Sequence, residues 1–431
     1  MRHTVTIIAV ALCVAGVASA QTGDRDQATY VDETRYPVIE EMEERNEQLL
    51  EAARAKTEEI LAAIEAESEA EEEEAQELRF DTSGIWRPEG PDAFEQVWHF
   101  PPTPQYLTGA CWSFSITSLM ESEIKRLHDE EIKLSEMWTV YWEFVEKARR
   151  WVDRRGESLF AHGSEGNAFR RVWTTYGIVP RSAYEGVLAS DGRFDHDRMH
   201  GLILSYLRWC KANDFWDEEQ ILASVRALLD RTMGAPPETV TWDGRTYTPQ
   251  QFLTEVCRLD PADYVDLQST LSQPFWTWGP FEVPDNWWDD ESYLNVPLDA
   301  WYDVLVRALE SGYSVSIGGD VSEPGMLGVE DIAVVPTFDV PPGHIDQSAR
   351  EMRIANETTT DDHGNHAVGT LLHDGERWFL IKDSNRSSRL GEHEGYYMYR
   401  EDYVRLKMLT LAVHRDVVAE LLDRTGAPPA Q

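Results

Sequence analysis

Apolar residues recur along this chain in two rhythms, a helical one in its first half and an alternating one in its last third. From Pro37 to about Glu69, Val38, Met42, Leu49, Ala53, Ile60 and Ile64 stand four or seven residues apart, which predicts an amphipathic helix. The stretch Asp81 to Gln105 breaks the pattern with Pro, Gly and aromatic residues and reads as a linker passing into a packed entry loop. Helical spacing resumes over Trp112 to Leu127, over Ser135 to Arg150 and over Gly166 to Tyr176, and again from Met199 to about Met233. The stripe Trp138, Tyr141, Trp142 and Phe144 is assigned to core packing. The run "TVTWDGRTYTPQQFLTEV" predicts a short hairpin leading into a helix, and "WYDVLVRALESG" a helix stopped by Gly312. Thereafter "YSVSIGGDV", "HAVGTLLHD", "RWFLIKDSN", "EGYYMYRED" and "MLTLAVHRD" alternate or run apolar between turn signals, as strands of an antiparallel sheet do. No internal repeat is present, and the pattern predicts an α+β protein with a site between its two halves.

Charge and the start of the chain narrow the class. The first residues, "MRHTVTIIAVALCVAGVASA", combine Arg2 and His3, an apolar run from Val5 to Val17 and a small-x-small ending before Gln21, the pattern of a secretory signal peptide over residues 1–20. The expected location is therefore secreted or periplasmic. No later run reaches membrane-spanning length, so stable membrane insertion is not expected. Leu12 stands where a lipoprotein site at Cys13 would need a small residue, and lipidation is discounted. The net charge is −39, and a nucleic-acid role, which needs basic patches to neutralise phosphate, is excluded on that ground. Residues 21–80 hold 20 acidic and 6 basic side chains and form an acidic helical leader, read as a pro-segment, a hook or a spacer.

Beyond the signal peptide three cysteines remain, Cys111, Cys210 and Cys257, an odd number for an exported protein. Cys210 and Cys257 are compatible with a bridge or with two reduced thiols, which leaves Cys111 as the free one. It sits where a glycine-containing turn meets a helical run, and a thiol in the first turn of a helix faces the positive end of the dipole. A cysteine nucleophile also needs a base, a group to orient that base, and donors for an oxyanion. Gln105 lies six residues earlier and supplies a side-chain amide. His366 begins an apolar strand, and Asp383 follows the next strand, so a hairpin is expected to bring Asp383 beside His366. His363, His373 and His393 are assigned to surface turns. No spacing of His, Cys or carboxylate gives a metal motif, and no cofactor is called for.

In order, Gln105-x5-Cys111-Trp112-Ser113-Phe114, His366-Ala367-Val368 and Ile381-Lys382-Asp383-Ser384 resemble the papain-like cysteine peptidases, whose usual last element is Asn-Ser-Trp. The interval from position 111 to position 366 is far longer than the roughly 130 to 150 residues of papain and cathepsins, which implies a large insertion. The stretches "LSEMWTVYWEFVEKA", "GSEGNAFRRVWTTYGIVPRS", "GAPPETVTW", "ALESGYSVSIGGDV" and "EGYYMYREDYV" are similar to the bleomycin hydrolase and aminopeptidase C branch, over roughly Gln96 to Val418. The resemblance implies a two-lobed fold over residues 81–425, with the cysteine in a helical lobe and the histidine in an antiparallel β lobe. A mainly helical insertion is placed at about 190–300, and a tail at 426–431. It implies hydrolysis of peptide or protein substrates through an acyl-thioester, with Cys111 as nucleophile, His366 as base, Asp383 as its orienter and Gln105 as oxyanion donor. Gly163, Ser164, Glu165 and Gly166 are implied to line the substrate cleft. Assembly into a homo-oligomer and the choice between aminopeptidase and endopeptidase action stay open. Two departures stand out: Asp383 replaces asparagine, and Asn385 replaces a tryptophan, which predicts a wetter and weaker histidine–carboxylate pair. A degenerate papain-like protein acting as a binding or scaffold module is the alternative.

Overall fold

The computed structural model describes residues 28–74, 76, 78–187, 189–426 and 429. The export signal expected over residues 1–20 lies outside the described residues. The chain divides into two units, Met1–Glu77 and Leu78–Gln431. In the first, helix α1 runs over Pro37–Glu74. Among the described residues of that unit it is the one helix, and its apolar stripe, Val38, Met42, Leu49, Ile60 and Ile64, is exposed.

The second unit has two lobes. The helical lobe is built on α2 (Cys111–His128), α3 (Glu136–Asp153), α4 (Ala168–Tyr176), α5 (Asp197–Ala212) and α6 (Glu218–Met233). Helix α3 starts where Ser135 accepts the Trp138 N–H, which satisfies one of the amides left free by the first turn. Trp138, Tyr141 and Phe144 are buried in the lobe's core, with Trp142 packed at its edge. Cys210 and Cys257 are free thiols in the same core; for Cys257, burial pushes the thiol pKa up. The predicted hairpin pairs Val240–Trp242 with Arg245–Tyr247, and Thr248 with Gln251 forms a capping box at the next turn.

The β lobe is an eleven-stranded sheet. Its main strands are β1 (Tyr264–Gln268), β2 (Tyr293–Asn295), β3 (Val315–Gly319), β4 (His363–His373), β5 (Glu376–Lys382), β6 (Tyr396–Arg400) and β7 (Met408–His414). They lie in the order β2-β1-β7-β3-β4-β5-β6, with short strands completing the edges. Helix α7 (Leu298–Glu310) covers one face, burying Trp301, Leu305 and Leu309. The α+β class and the two lobes expected from the sequence are thus both found. The stretch assigned to a helical insertion is helical through α6, but from Tyr264 it supplies β1 and β2 to the main sheet. Both strands are buried along their whole length, and the alternation Val265-Asp266-Leu267-Gln268 of β1 is too short to stand out in the sequence.

The site is set where α2 meets β4. Gly364 makes the close approach: a Cβ built there would lie 3.1 Å from the Trp112 Cα and 3.3 Å from the Trp112 N, tighter than an ordinary contact, so the bare Cα lets the strand press on the first turn of the helix without a shift. Among the described residues no helix is long and apolar enough to cross a membrane.

Candidate active site

Cys111 is the first residue of α2, half-buried, in a turn that no side chain caps. Ala110 accepts the N–H groups of Ser113 and Phe114, and the first amides of the helix are left to face the cleft. Opposite it, at the start of β4, stands His363. The His363 Nε2 is 2.9 Å from Asp383 Oδ1, and both side chains are buried. That bond leaves Nδ1 as the ring nitrogen toward Cys111. Burial alone would discharge this imidazole. The Asp383 carboxylate and the Cys111 sulfur, which is also a hydrogen-bond partner, outweigh burial and hold the His363 pKa well above the ordinary histidine value.

The histidine beside Cys111 and Asp383 is therefore His363, so the expectation that put His366 there is corrected, as is the placing of His363 in a surface turn. The physical reason is strand parity. Residues three apart in a strand point to opposite faces, so β4 cannot present both histidines to Cys111. His366 pairs with Lys382 in register, and both reach the body of α2 at Ser118, seven residues beyond Cys111, rather than its first turn. There the His366 Nδ1 is 2.8 Å from Ser118 Oγ, which accepts from Lys382 Nζ at 2.7 Å. Burial, with Lys382 and His99 nearby, drives the His366 pKa far below its ordinary value, so this ring is neutral. Burial pushes the Lys382 ammonium down to about 8. Asp383 is one step past Lys382 and returns to the His363 face. Of the other two histidines, His373 stacks on Trp86 and His393 bonds through Nε2 to the Glu89 carbonyl.

Asp383 is also drier than its neighbours in sequence suggested. With Asn385 in place of tryptophan, the His363 and Asp383 side chains are still only 3% and 0% exposed. The Asn385 backbone N–H donates to Asp383 Oδ1 at 2.6 Å, and the Tyr397 and Tyr399 rings lie close enough for the carboxylate to act on their hydroxyls. The expected wetter pair is thus corrected: the backbone and two tyrosines replace the missing cover.

Gln105 is fixed by the same loop. Its Oε1 accepts from Ser384 Oγ at 2.7 Å, its backbone N–H donates to the Ser384 carbonyl at 2.9 Å, and its Nε2 donates to the Thr108 carbonyl at 2.7 Å. One Nε2 hydrogen remains for the cleft. Gln105, Cys111 and His363 line one cavity of about 310 Å³, together with Gly163, Ser164, Glu165 and Gly166. Ser164 is anchored by donating to Glu143 Oε1 at 2.6 Å.

The cavity also holds carboxylates that the sequence pattern did not single out: Asp266, Asp285, Asp361 and Asp362. Burial raises all four, Asp266 and Asp362 to about 6 and Asp361 to about 7. Burial, then Asp361 and Asp285, raise Glu165 well above the usual carboxylate range. The "DDH" run was the available signal for two of them and for His363. Asp266 and Asp285 come from far along the chain, and only the fold brings them here. Among the described residues no group of three or more His, Cys, Asp or Glu side chains is arranged to hold a metal ion.

The arrangement is a thiol at a helix N-terminus, a charged imidazole held by a buried carboxylate, and an amide donor, all on one cleft. Such a set can form and break an acyl–sulfur bond. Comparison with known proteins agrees with it. The sequence model of the Peptidase C1-like family matches residues 92–428. Aminopeptidase C of Lactobacillus delbrueckii subsp. lactis is 24% identical over 264 residues, 52% of this chain and 59% of that protein. The match thus spans less than two thirds of that relative's length. Aminopeptidase C of Listeria monocytogenes is 20% identical over 371 residues, 75% of this chain and 82% of that protein. Among solved structures, PepW of Lactobacillus rhamnosis HN001 superposes with a TM-score of 0.61 at 19% identity, covering 76% of this chain and 83% of that one.

Proposed function

Because the chain belongs to the Peptidase C1-like family, we propose that it is an active cysteine peptidase whose nucleophile is Cys111 and whose base is His363. The observation that carries this reading is the 2.9 Å bond from His363 to Asp383, on a ring whose other partner is Cys111. The raised pKa of His363 keeps the imidazolium at neutral pH, and an imidazolium beside a helix N-terminus stabilises negative charge on sulfur.

The reaction follows from these positions. The Cys111 thiolate attacks the scissile carbonyl carbon and its π electrons move to oxygen, where the Cys111 N–H and the remaining Gln105 Nε2 hydrogen receive the charge in this reading; that both residues line the cavity supports it. His363 gives its proton to the amine, the C–N bond breaks, and the acyl group stays on sulfur as a thioester. The neutral ring then takes a proton from water as hydroxide adds to the thioester, and the acid leaves with the thiolate restored. Asp383 holds the ring in place throughout. Residues 163–166 bind the substrate backbone in this reading.

The names of the two aminopeptidase C relatives support removal of residues from a free amino terminus as the mode of action. The same proposal takes residues 1–20 as a cleaved export signal, supported by the apolar run from Val5 to Val17 and by Ala18-Ser19-Ala20. Mass spectrometry of the secreted protein, expected to begin at Gln21, tests that part. For the chemistry, a thiol-directed epoxide is expected to alkylate Cys111 in the folded protein, and peptide turnover is expected to vanish in Cys111→Ala. A folded protein that resists the epoxide and cleaves no peptide sinks the peptidase reading and leaves a papain-like binding protein.

A further inference from the structure

The cavity beside Cys111 and His363 is lined by five carboxylates, Glu165, Asp266, Asp285, Asp361 and Asp362, and by no lysine or arginine. One of the five already has a cation: Arg170 Nη1 is 2.5 Å from Asp266, and the same guanidinium bonds to the Tyr264 carbonyl and to Ser292 Oγ. Lys147 lies behind the wall, its ammonium given to the Ala161 and Gly163 carbonyls. Neither cation bonds to Glu165, Asp285 or Asp361.

Glu165 is only 5% exposed. Its Oε2 is reached by the Tyr293 hydroxyl at 3.4 Å, while no N–H or O–H among the described residues reaches Oε1. Glu165 and Asp361 face each other through a shared carboxyl hydrogen bond. Asp285 reaches in from the other side, against the bare Cα of Gly163, where any Cβ would lie 2.1 Å from Asp285 Oδ2. Buried acids are ordinarily paired with a cation or hydrogen-bonded to donors. Here the structure spends a glycine to bring a carboxylate closer to two others; the cations whose fields reach them, Lys147 and His363, bond to other groups, so a hydrogen-bonded cation for the three is left to the ligand.

We propose that this pocket takes a cationic group of the substrate, an ammonium or a guanidinium, seated between Glu165, Asp361 and Asp285. The inference rests on reading the cleft as a peptidase substrate site, and it names the substrate class: peptides carrying a lysine or arginine side chain near the scissile bond, or a free terminal amine that reaches the same carboxylates. On entry of the cation the proton shared by Glu165 and Asp361 is released to solvent, and both oxygens turn to the new donor.

The test uses the full-length Cys111→Ala protein, which binds without turning over, and three synthetic peptides of one sequence titrated by calorimetry. The first is N-acetylated with lysine, the second N-acetylated with norleucine in its place, and the third has norleucine and a free amino terminus. At least one cationic peptide is expected to bind tenfold or more tightly than the acetylated norleucine peptide. In Glu165→Gln/Asp361→Asn, and more weakly in Glu165→Gln alone, that preference is expected to disappear while the melting temperature shows the fold intact. A winning acetylated lysine peptide assigns the pocket to a side chain, and a winning free-amine peptide assigns it to the chain terminus. Equal or undetectable affinity for all three, or a preference that survives in the double variant, overturns the proposal. Turnover and epoxide labelling of the wild-type protein are read separately, so failure of the peptidase reading is not confused with failure of the pocket.

Discussion

Asp383 is the residue whose replacement tests the site most sharply. Its Oδ1 accepts two bonds, from His363 Nε2 at 2.9 Å and from the Asn385 N–H at 2.6 Å, in a place its side chain does not share with solvent. Asp383→Ala strands both donors, and each buried donor left without a partner costs about 1–3 kcal/mol. If the His363 share falls on the transition state, kcat/KM drops by about 10- to 100-fold, at about 1.4 kcal/mol per factor of ten. The Asn385 share is expected as lost stability. Asp383→Asn keeps an acceptor in place for both donors and removes only the charge, so it is expected to stay within about tenfold of wild type by the same arithmetic.

The pH profile separates geometry from charge. Activity requires a protonated His363, and the alkaline limb of kcat/KM reports its loss of that proton. Asp383 is one of the charges that hold this pKa above the ordinary value against burial, so Asp383→Asn moves the limb to lower pH. Stability follows the same sign. A histidine whose folded pKa is raised stabilises the fold fully below its unfolded value, near 6.5, and loses that contribution as pH rises through the folded value. The asparagine variant should therefore lose less stability than wild type through the alkaline range. Peptide hydrolysis and thermal melts across pH measure both effects. An asparagine variant as slow as the alanine one, or an alkaline limb that does not move, refutes the assignment of Asp383 as the charged holder of His363.

Other substitutions examine the rest of the geometry. His363→Ala is expected to slow alkylation of Cys111 at neutral pH by at least tenfold, whereas His366→Ala, seated farther along α2 at Ser118, should leave the labelling rate within a few-fold and lower stability by about 1–3 kcal/mol through the Ser118 bond it strands; equal loss in both variants would return the base role to dispute. Gly364→Ala sets a methyl 3.1 Å from the first turn of α2, which must shift by a few tenths of an ångström to take it, and should cost about 1–3 kcal/mol in melts while lowering kcat more than it raises KM. Arg170→Met leaves Asp266 buried without its cation and is expected to destabilise by about 3–5 kcal/mol, read by denaturant unfolding.

Much of this was legible before the fold was known, for reasons that also mark where reading stopped. Helix α2 and its leading cysteine announce themselves because apolar spacing and a glycine turn are local signals. So does Gln105, whose distance from Cys111 along the chain is short. The strands β3, β4, β5, β6 and β7 are visible as alternating or apolar runs, but β1 and β2 are short and wholly buried, and the alternation in β1 spans too few residues to stand out. The choice between His363 and His366 was not local at all. It depends on register, here His366 opposite Lys382, and a side chain's face reverses with each residue. Asp285 and Asp266 were invisible for a different reason: they lie about a hundred residues or more from the cysteine in sequence, and nothing around them hints at a destination.

The loop of residues 383–385 gives the site a common hinge-pin. Through Asp383 it sets the imidazole, and through Ser384 it sets Gln105, so the proposed proton carrier and oxyanion donor hang from one short piece of chain. A disturbance there disables two catalytic functions in a single stroke and never touches the thiol. Ligands or substitutions aimed at this loop from behind would switch the protein off with its nucleophile still intact, and a graft of these three residues into a relative would have to carry the Gln105 bonds with it or fail.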